Sequence, residues 1–456
     1  MNTTLEREAC ATGGSVAAPD LDWLAAERMT TNKWHRVSDW LQSGSWVAIR
    51  TWLESPRGRR IVGVTAAAQV ALVVVFALVY QPFDLAIYLW GGHAVTHGAE
   101  LYLQQSQGNW YTYPPFAAAL FTPLAALPAV LVRVLWELAS IGALAWACAL
   151  TLKLAGQRPT RIVVLALAAA ALVLEPMYHT LFLGQVNLFL LALVLADIWR
   201  AARGRPAGIG IGIATAIKLT PGIFIVLLLL TRRTRDAVTA ALTFGCCTAI
   251  GFLVDPSASR MYWTHLFYDT RRVSGPYISN QSPYGALTRL FDGAAHVGTW
   301  YYVIPVVLGG LGLAVAAVQA RQGDWLAAAA VTGVTGLLVS PISWTHHWVW
   351  ALPALVVLAR GGRASRIALA CASVVFVLAP MWFTPHLGGG GDYGDRGFVT
   401  VIANCFLIAG LAFLLHMTVL TVRARRSYAV EAWIPPIDSR YADVSASAPA
   451  RMVVAK

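Results

Sequence analysis

Two adjacent histidines, His346 and His347, interrupt an apolar stretch in the run Ser340 to Trp350, and Lys218 interrupts another. Ionisable groups are costly to place among apolar neighbours, and where they persist they mark candidate functional sites. Neighbours on a helix diverge by about 100 degrees, so one of the two histidines is expected to face a site and the other to pack. Asp84 follows an apolar run and is flanked by Phe83 and Leu85. A half-desolvated carboxylate there can serve as general base toward a hydroxyl, or it can cap the segment that follows. Gln185 and Asn187 offer neutral donors and acceptors suited to sugar hydroxyls, or to capping the next helix. Lys218 calls for an anion, either a phosphate, which lysine meets as a point charge, or a structural carboxylate. Arg271, Arg272, Asn280, Gln281 and Arg289 continue the set along a polar loop, as ligand contacts or as solvated loop residues.

The elements that must position these groups are helices in lipid. The chain has 456 residues, of which 57% are hydrophobic and 12% charged, a balance that excludes an ordinary soluble domain. Windows such as Ile61 to Tyr80, Ala237 to Val254, Tyr302 to Ala320 and Val399 to Val422 are long enough, at about 1.5 Å per residue, to cross about 30 Å of hydrocarbon. They do not alternate, which excludes an outer-membrane barrel. The net charge of +12 is spread over short basic clusters at the ends of apolar runs, the positive-inside pattern, and so does not point to nucleic acid. Six cysteines show no disulfide or zinc spacing and are expected to fill the core.

Placing the basic clusters inside leaves 81–113, 175–187, the surroundings of Lys218, 255–298, 341–347 and 380–396 on the opposite face. Most of the ten histidines fall there. Alternation then predicts an all-α polytopic protein with about twelve crossings and both termini cytoplasmic. Residues 113–128, interrupted by four prolines, are expected to fall short of a full span, and 207–230 to fold back as two half-helices around Lys218. The expected organisation is a cytoplasmic leader over 1–60, either an interfacial amphipathic helix within Trp34 to Trp52 or a disordered segment. A membrane body over 61–422 and a disordered cytoplasmic tail over 423–456 follow.

Several segments, in order along the chain, resemble the GT-C-type family of polyprenyl-phosphate-mannose-dependent α-1,2-mannosyltransferases. They are Asp84 to Tyr88, Thr112 to Phe116, Gly184 to Asn187, Lys218 to Pro221, Asn280 to Ser282, and the distinctive run Ser340 to Trp350. The resemblance implies a GT-C-like fold with a long first extracytoplasmic loop carrying a catalytic aspartate, by position Asp84. It implies inversion at the anomeric carbon, a polyprenyl phosphate mannose donor, and a phosphatidylinositol mannoside or lipomannan acceptor in a multi-pass plasma-membrane protein, within envelope biogenesis that extends to lipoarabinomannan. Catalytic roles fall to Asp84 with His346 or His347. Phosphate and sugar contacts fall to Gln185, Asn187, Lys218, Arg271, Arg272, Asn280, Gln281 and Arg289. Two alternatives stay open: transfer of arabinofuranose from a polyprenyl phosphate, and a non-enzymatic flippase for lipid-linked sugars. No cofactor is implied, and no paired Asp-x-Asp motif occurs in the outer loops; Asp392 and Asp395, among glycines, fit a plain turn. Sugar transfer is therefore expected to persist in a strong chelator, and a loss reversed by one divalent cation would reject that expectation.

Overall fold

The computed structural model describes residues 44–293, 296–384 and 397–433. A short helix, α1 (Gly44–Glu54), leads into α2 (Pro56–Val79). The Ser55 hydroxyl accepts from the Gly58 N–H and Pro56 occupies the first turn, a standard helix start. After Pro82 comes α3 (Phe83–His97), which ends on Gly98 in the left-handed conformation. A small antiparallel hairpin, β1 (Gln105–Ser106) with β2 (Asn109–Trp110), returns the chain to α4 (Pro115–Ala125), which packs along α3. Gly92 permits that approach, because a Cβ there would stand 2.7 Å from the Phe121 carbonyl carbon.

Next, α5 (Ala129–Leu154) packs against α8 (Asn187–Ala202), and between them α6 (Arg161–Ala171) and α7 (Glu175–Leu183) meet at a bend of 81°. Two short helices, α9 (Ile209–Ile217) and α10 (Ile223–Leu230), flank Lys218, whose backbone is extended at φ −151. The half-helices expected around this residue are present. Beyond α11 (Thr234–Val254) and α12 (Pro256–Met261), a long loop carries α13 (Pro283–Leu290). Then α14 (Val303–Arg321) packs side by side with α15 (Trp325–Val339), and every residue of α15 from Leu326 to Leu338 is buried. A helix apolar and buried all round is a core element, and α15 is the post on which its neighbours lean. The described chain continues through α16 (Ala351–Ala359), α17 (Arg363–Leu378), α18 (Phe398–Ala403) and α19 (Cys405–Trp433).

The structure corrects the expectation of about twelve crossings. Among the described residues five helical segments are long and apolar enough to cross a membrane: α2, α5, α11, Thr299–Arg321 and Cys405–Arg425. The bent pair α6 and α7 would make a sixth. Apolar composition is a poor measure of length, and that is the source of the difference. With 15 residues α15 reaches about 22 Å at 1.5 Å per residue, short of a hydrocarbon core of about 30 Å. Shorter still are α4 with 11 residues, α9 with 9 and α10 with 8. The fold is an all-α, multi-pass membrane-type assembly with few full spans and many short buried helices. The first outer loop of the sequence reading is largely occupied by α3 and the hairpin.

Part of the expected leader and tail, 1–43 and 434–456, lies outside the described residues, as do Asp392 and Asp395. Of the five described cysteines, all free, Cys246 and Cys371 are exposed and so do not fill the core. The basic loops satisfy one another. Arg233 pairs with Asp236 and donates to the Arg205 carbonyl, Asp236 accepts from the Ala207 N–H, and Arg360 pairs with Asp324. Gly92→Leu should force α3 and α4 apart and cost about 1–3 kcal/mol. A lower thermal unfolding midpoint in detergent is the expected result, and an unchanged midpoint would refute the close approach.

A candidate active site where two cavities meet

Pro82 starts α3 and places Asp84 in its first turn, with no side-chain cap bond at that helix start. The capping role is therefore not the one Asp84 takes. Burial pushes its carboxyl up to about 6, against the Gln185 hydrogen bond and the positive charge of Lys218, which pull it down. Lys218 emerges where α9 stops. Burial draws its ammonium down to about 7, opposed by the nearby Asp84 carboxylate. Each of these groups would lose its charge by itself in this environment, and each helps the other to keep it.

Two cavities open beside this pair. The first, of about 470 Å³, is lined by Lys218, His347 and Arg272 together with apolar side chains that include Leu219, Ile223, Phe267 and Val339. The second, of about 360 Å³, is lined by Asp84, His179, Gln185 and His346, with Trp110, Trp344 and Trp382. Thr112, Tyr113, Arg272, Val273 and Trp344 line both, so the cavities share a wall. Most of the lining residues come from segments that the charge pattern set opposite the basic loops, and α15 adds Gly336 and Val339.

Asn187 is the joint of the site. Its Oδ1 accepts from Lys218 Nζ at 3.1 Å, and its Nδ2 donates to the His346 carbonyl at 2.8 Å. It opens α8 without capping it through its side chain. Lys218 Nζ also lies 2.7 Å from His347 Nε2, and the Ile342 backbone hydrogen-bonds the same ring. The ammonium sits over the Tyr113 ring, 5.6 Å from its centroid, which supplies a cation–π contact. Among the described residues the bonds to Asn187 and His347 engage two of the three ammonium hydrogens. Gln185 belongs to an adjoining triangle. Its Oε1 accepts from the Tyr88 hydroxyl at 2.7 Å and its Nε2 donates to the Tyr113 hydroxyl at 3.1 Å.

The structure gathers Asp84, Gln185, Asn187, Lys218, Arg272, His346 and His347. The two histidines face different cavities, their rings 85° apart, so neither is merely packing as the helical argument expected. The turn that carries them is a 3-10 helix between two openings, which gives each ring its own exit. Arg272 donates to the Tyr102 carbonyl and lies over Trp110. Arg271 points away, 90% exposed and paired with Asp269. Asn280, Gln281 and Arg289 line neither cavity. Asn280 accepts from the Ser343 N–H and donates to the Pro341 carbonyl, Gln281 donates to the Ala403 carbonyl, and Arg289 reaches the Pro276, Tyr277 and Asn280 carbonyls and Asn404.

Sequence reasoning did not single out Tyr113 as a site residue, and it missed the pair Glu175 and His179. The signal for the pair was spacing: a carboxylate and an imidazole four residues apart in an apolar run share one helix face. Among the described residues no group of three or more His, Cys, Asp or Glu side chains is placed to hold a metal ion.

The profile of glycosyltransferase family 87 matches residues 111–341, which include Tyr113, Gln185, Asn187, Lys218 and Arg272. The chain is 33% identical over 322 residues to the polyprenol-phosphate-mannose-dependent alpha-(1-2)-phosphatidylinositol mannoside mannosyltransferase of Mycobacterium tuberculosis, covering 66% of this chain and 75% of that one. It is 34% identical over 292 residues to the corresponding phosphatidylinositol pentamannoside mannosyltransferase of Mycolicibacterium smegmatis, covering 61% and 69%. No solved structure matches the chain.

The Asp84 carboxyl, followed by infrared difference spectroscopy against Asp84→Asn, should lose its proton near pH 6 rather than near the ordinary 3.8. Lys218→Met should move that titration upward, because a positive neighbour is removed. A downward move would contradict the electrostatic coupling.

Proposed function

Since the chain belongs to glycosyltransferase family 87, the GT-C-type polyprenyl-phosphate-mannose-dependent mannosyltransferases, we propose that it moves mannose from polyprenyl phosphate mannose to a phosphatidylinositol mannoside-type lipid. The linkage formed is α-1,2, made with inversion. The observation that carries this reading is the shared wall: a candidate base lies in one cavity, and a cationic clamp lies in the other. The first cavity suits the donor. Its apolar lining takes the start of the isoprenoid chain, while Lys218 and Arg272 meet the phosphate. The second cavity takes the acceptor sugar.

Asp84 draws the proton from the acceptor hydroxyl as that oxygen bonds to the anomeric carbon. The bond from that carbon to the phosphate oxygen breaks, and its electron pair leaves with polyprenyl phosphate. The carbon passes through an oxocarbenium-like state, and the base and the phosphate stand on opposite faces of it, which gives inversion. A carboxyl raised toward the working pH is a stronger base than a free one yet is still largely ionised at neutrality, the compromise that proton transfer favours. The leaving phosphate needs no acid. Its growing charge is met by the Lys218 ammonium, held in place by Asn187 and His347.

The reaction is placed on the side opposite the basic loops, the extracytoplasmic face of the plasma membrane; both termini are then cytoplasmic only with an even number of crossings, as when α6 and α7 together make the sixth span. The membrane body over 61–422 carries both cavities. Membranes supplied with labelled polyprenyl phosphate mannose should form a labelled polar glycolipid, and Asp84→Asn should lower that rate by about 10²–10⁴. Label arriving only from polyprenyl phosphate arabinose would turn the reading to the other sugar. Undiminished glycolipid formation by Asp84→Asn would remove Asp84 as the base.

A further inference from the structure

The cavity that Asp84 faces contains a pair that the reaction above leaves unused. Glu175 and His179 stand one turn apart on α7, so their side chains share a face. His179 Nδ1 lies 2.8 Å from Glu175 Oε1 and 2.9 Å from Thr345 Oγ1, and Trp382 Nε1 donates to the same carboxylate oxygen at 3.0 Å. A carboxylate only accepts, so the hydrogen sits on Nδ1, and the lone pair of the ring is on Nε2. That ring lines the cavity. Beside it, edge to face with centroids 5.5 Å apart, His346 lines the same space and is 5% exposed. Neither nitrogen of His346 has a hydrogen-bonding partner among the described residues. Buried nitrogens left unmatched are costly unless a ligand completes them. Trp344, Trp382 and Tyr277 also line this space and offer aromatic faces to the C–H side of a sugar ring.

We propose that His179, fixed by Glu175, forms with His346 a hydroxyl-binding subsite for the acceptor sugar. It grips hydroxyls other than the one that attacks. This rests on the glycosyl-transfer reading above and deepens it by naming the acceptor class: a pyranose with adjacent free hydroxyls. His179 Nε2 accepts a hydrogen bond from one hydroxyl, and His346 pairs with its neighbour. The proton of the reacting hydroxyl stays with Asp84. Glu175 is a positioning residue, because it decides which nitrogen of His179 faces the sugar.

The test uses full-length protein in lipid nanodiscs, with octyl α-mannoside and its monodeoxy analogues as probes. Binding is followed by quenching of tryptophan fluorescence, and transfer from polyprenyl phosphate mannose is measured in parallel. Wild type should bind one monodeoxy analogue about tenfold more weakly than the parent, since a fixed acceptor is left unmatched. His179→Ala should bind the parent about tenfold more weakly and no longer distinguish that analogue. Glu175→Leu, which removes the oxygen that accepts from Nδ1 and so frees the ring to change tautomer, should also lose the distinction, and it carries the comparison where His179→Ala does not fold. Discrimination that survives in the variants, or an absence of binding to wild type, overturns the subsite. Discriminating binding without sugar transfer leaves the subsite standing and removes the transfer reading instead.

Discussion

One amide holds the site together. Asn187 accepts from Lys218 with its oxygen and donates to the His346 carbonyl with its nitrogen, so it ties the mouth of α8, the break between α9 and α10, and the histidine turn at one point. The need behind it is electrostatic. A lysine among apolar helices is held charged only if something nearby accepts its hydrogens and something negative offsets its field. Asn187 and His347 meet the first requirement, and Asp84 meets the second. Removing any of them would affect the others, because the balance is shared.

The short helices serve the same end. Within a full-length apolar helix the backbone bonds are complete, so it is at the breaks that free backbone groups and polar side chains come together. In this chain Asp84, His179, Lys218 and His346 all sit at or beside a break: after Pro82, after the 81° bend, between α9 and α10, and in the 3-10 turn that precedes α16. The breaks that reduce the number of full spans are thus the ones that build the cavities. α15, buried throughout, gives these fragments a common support.

Much of the loop polarity works at one remove from the cavities. Asn280 binds the Ser343 N–H and the Pro341 carbonyl, Gln281 reaches α18 and the start of α19, and Arg289 gathers the carbonyls of the 276–280 segment. These bonds latch the loop to the turn that carries Trp344, His346 and His347, and so fix the wall between the cavities. The basic loops pair with their own acids and backbone, as Arg233 with Asp236 and Arg360 with Asp324 show.

By itself the sequence determined the lipid setting and the suspects. Charge and amide groups inside apolar runs are visible without coordinates, because the cost of burying them does not depend on the details of packing, and Asp84, Gln185, Asn187, Lys218 and the histidine pair stood out on that ground. Only the tertiary structure decided how many helices are long enough to span, since length depends on where each helix ends rather than on how apolar it is. The same holds for the two histidines that face separate cavities, for the distance of Arg271 and Arg289 from both, and for Tyr113 in the shared wall. Glu175 and His179 carried a spacing signal, but their value depends on Thr345, His346 and Trp382, which are far away along the chain. Hydrogen bonds between such distant residues form only where the packing brings them together, and no local pattern encodes that.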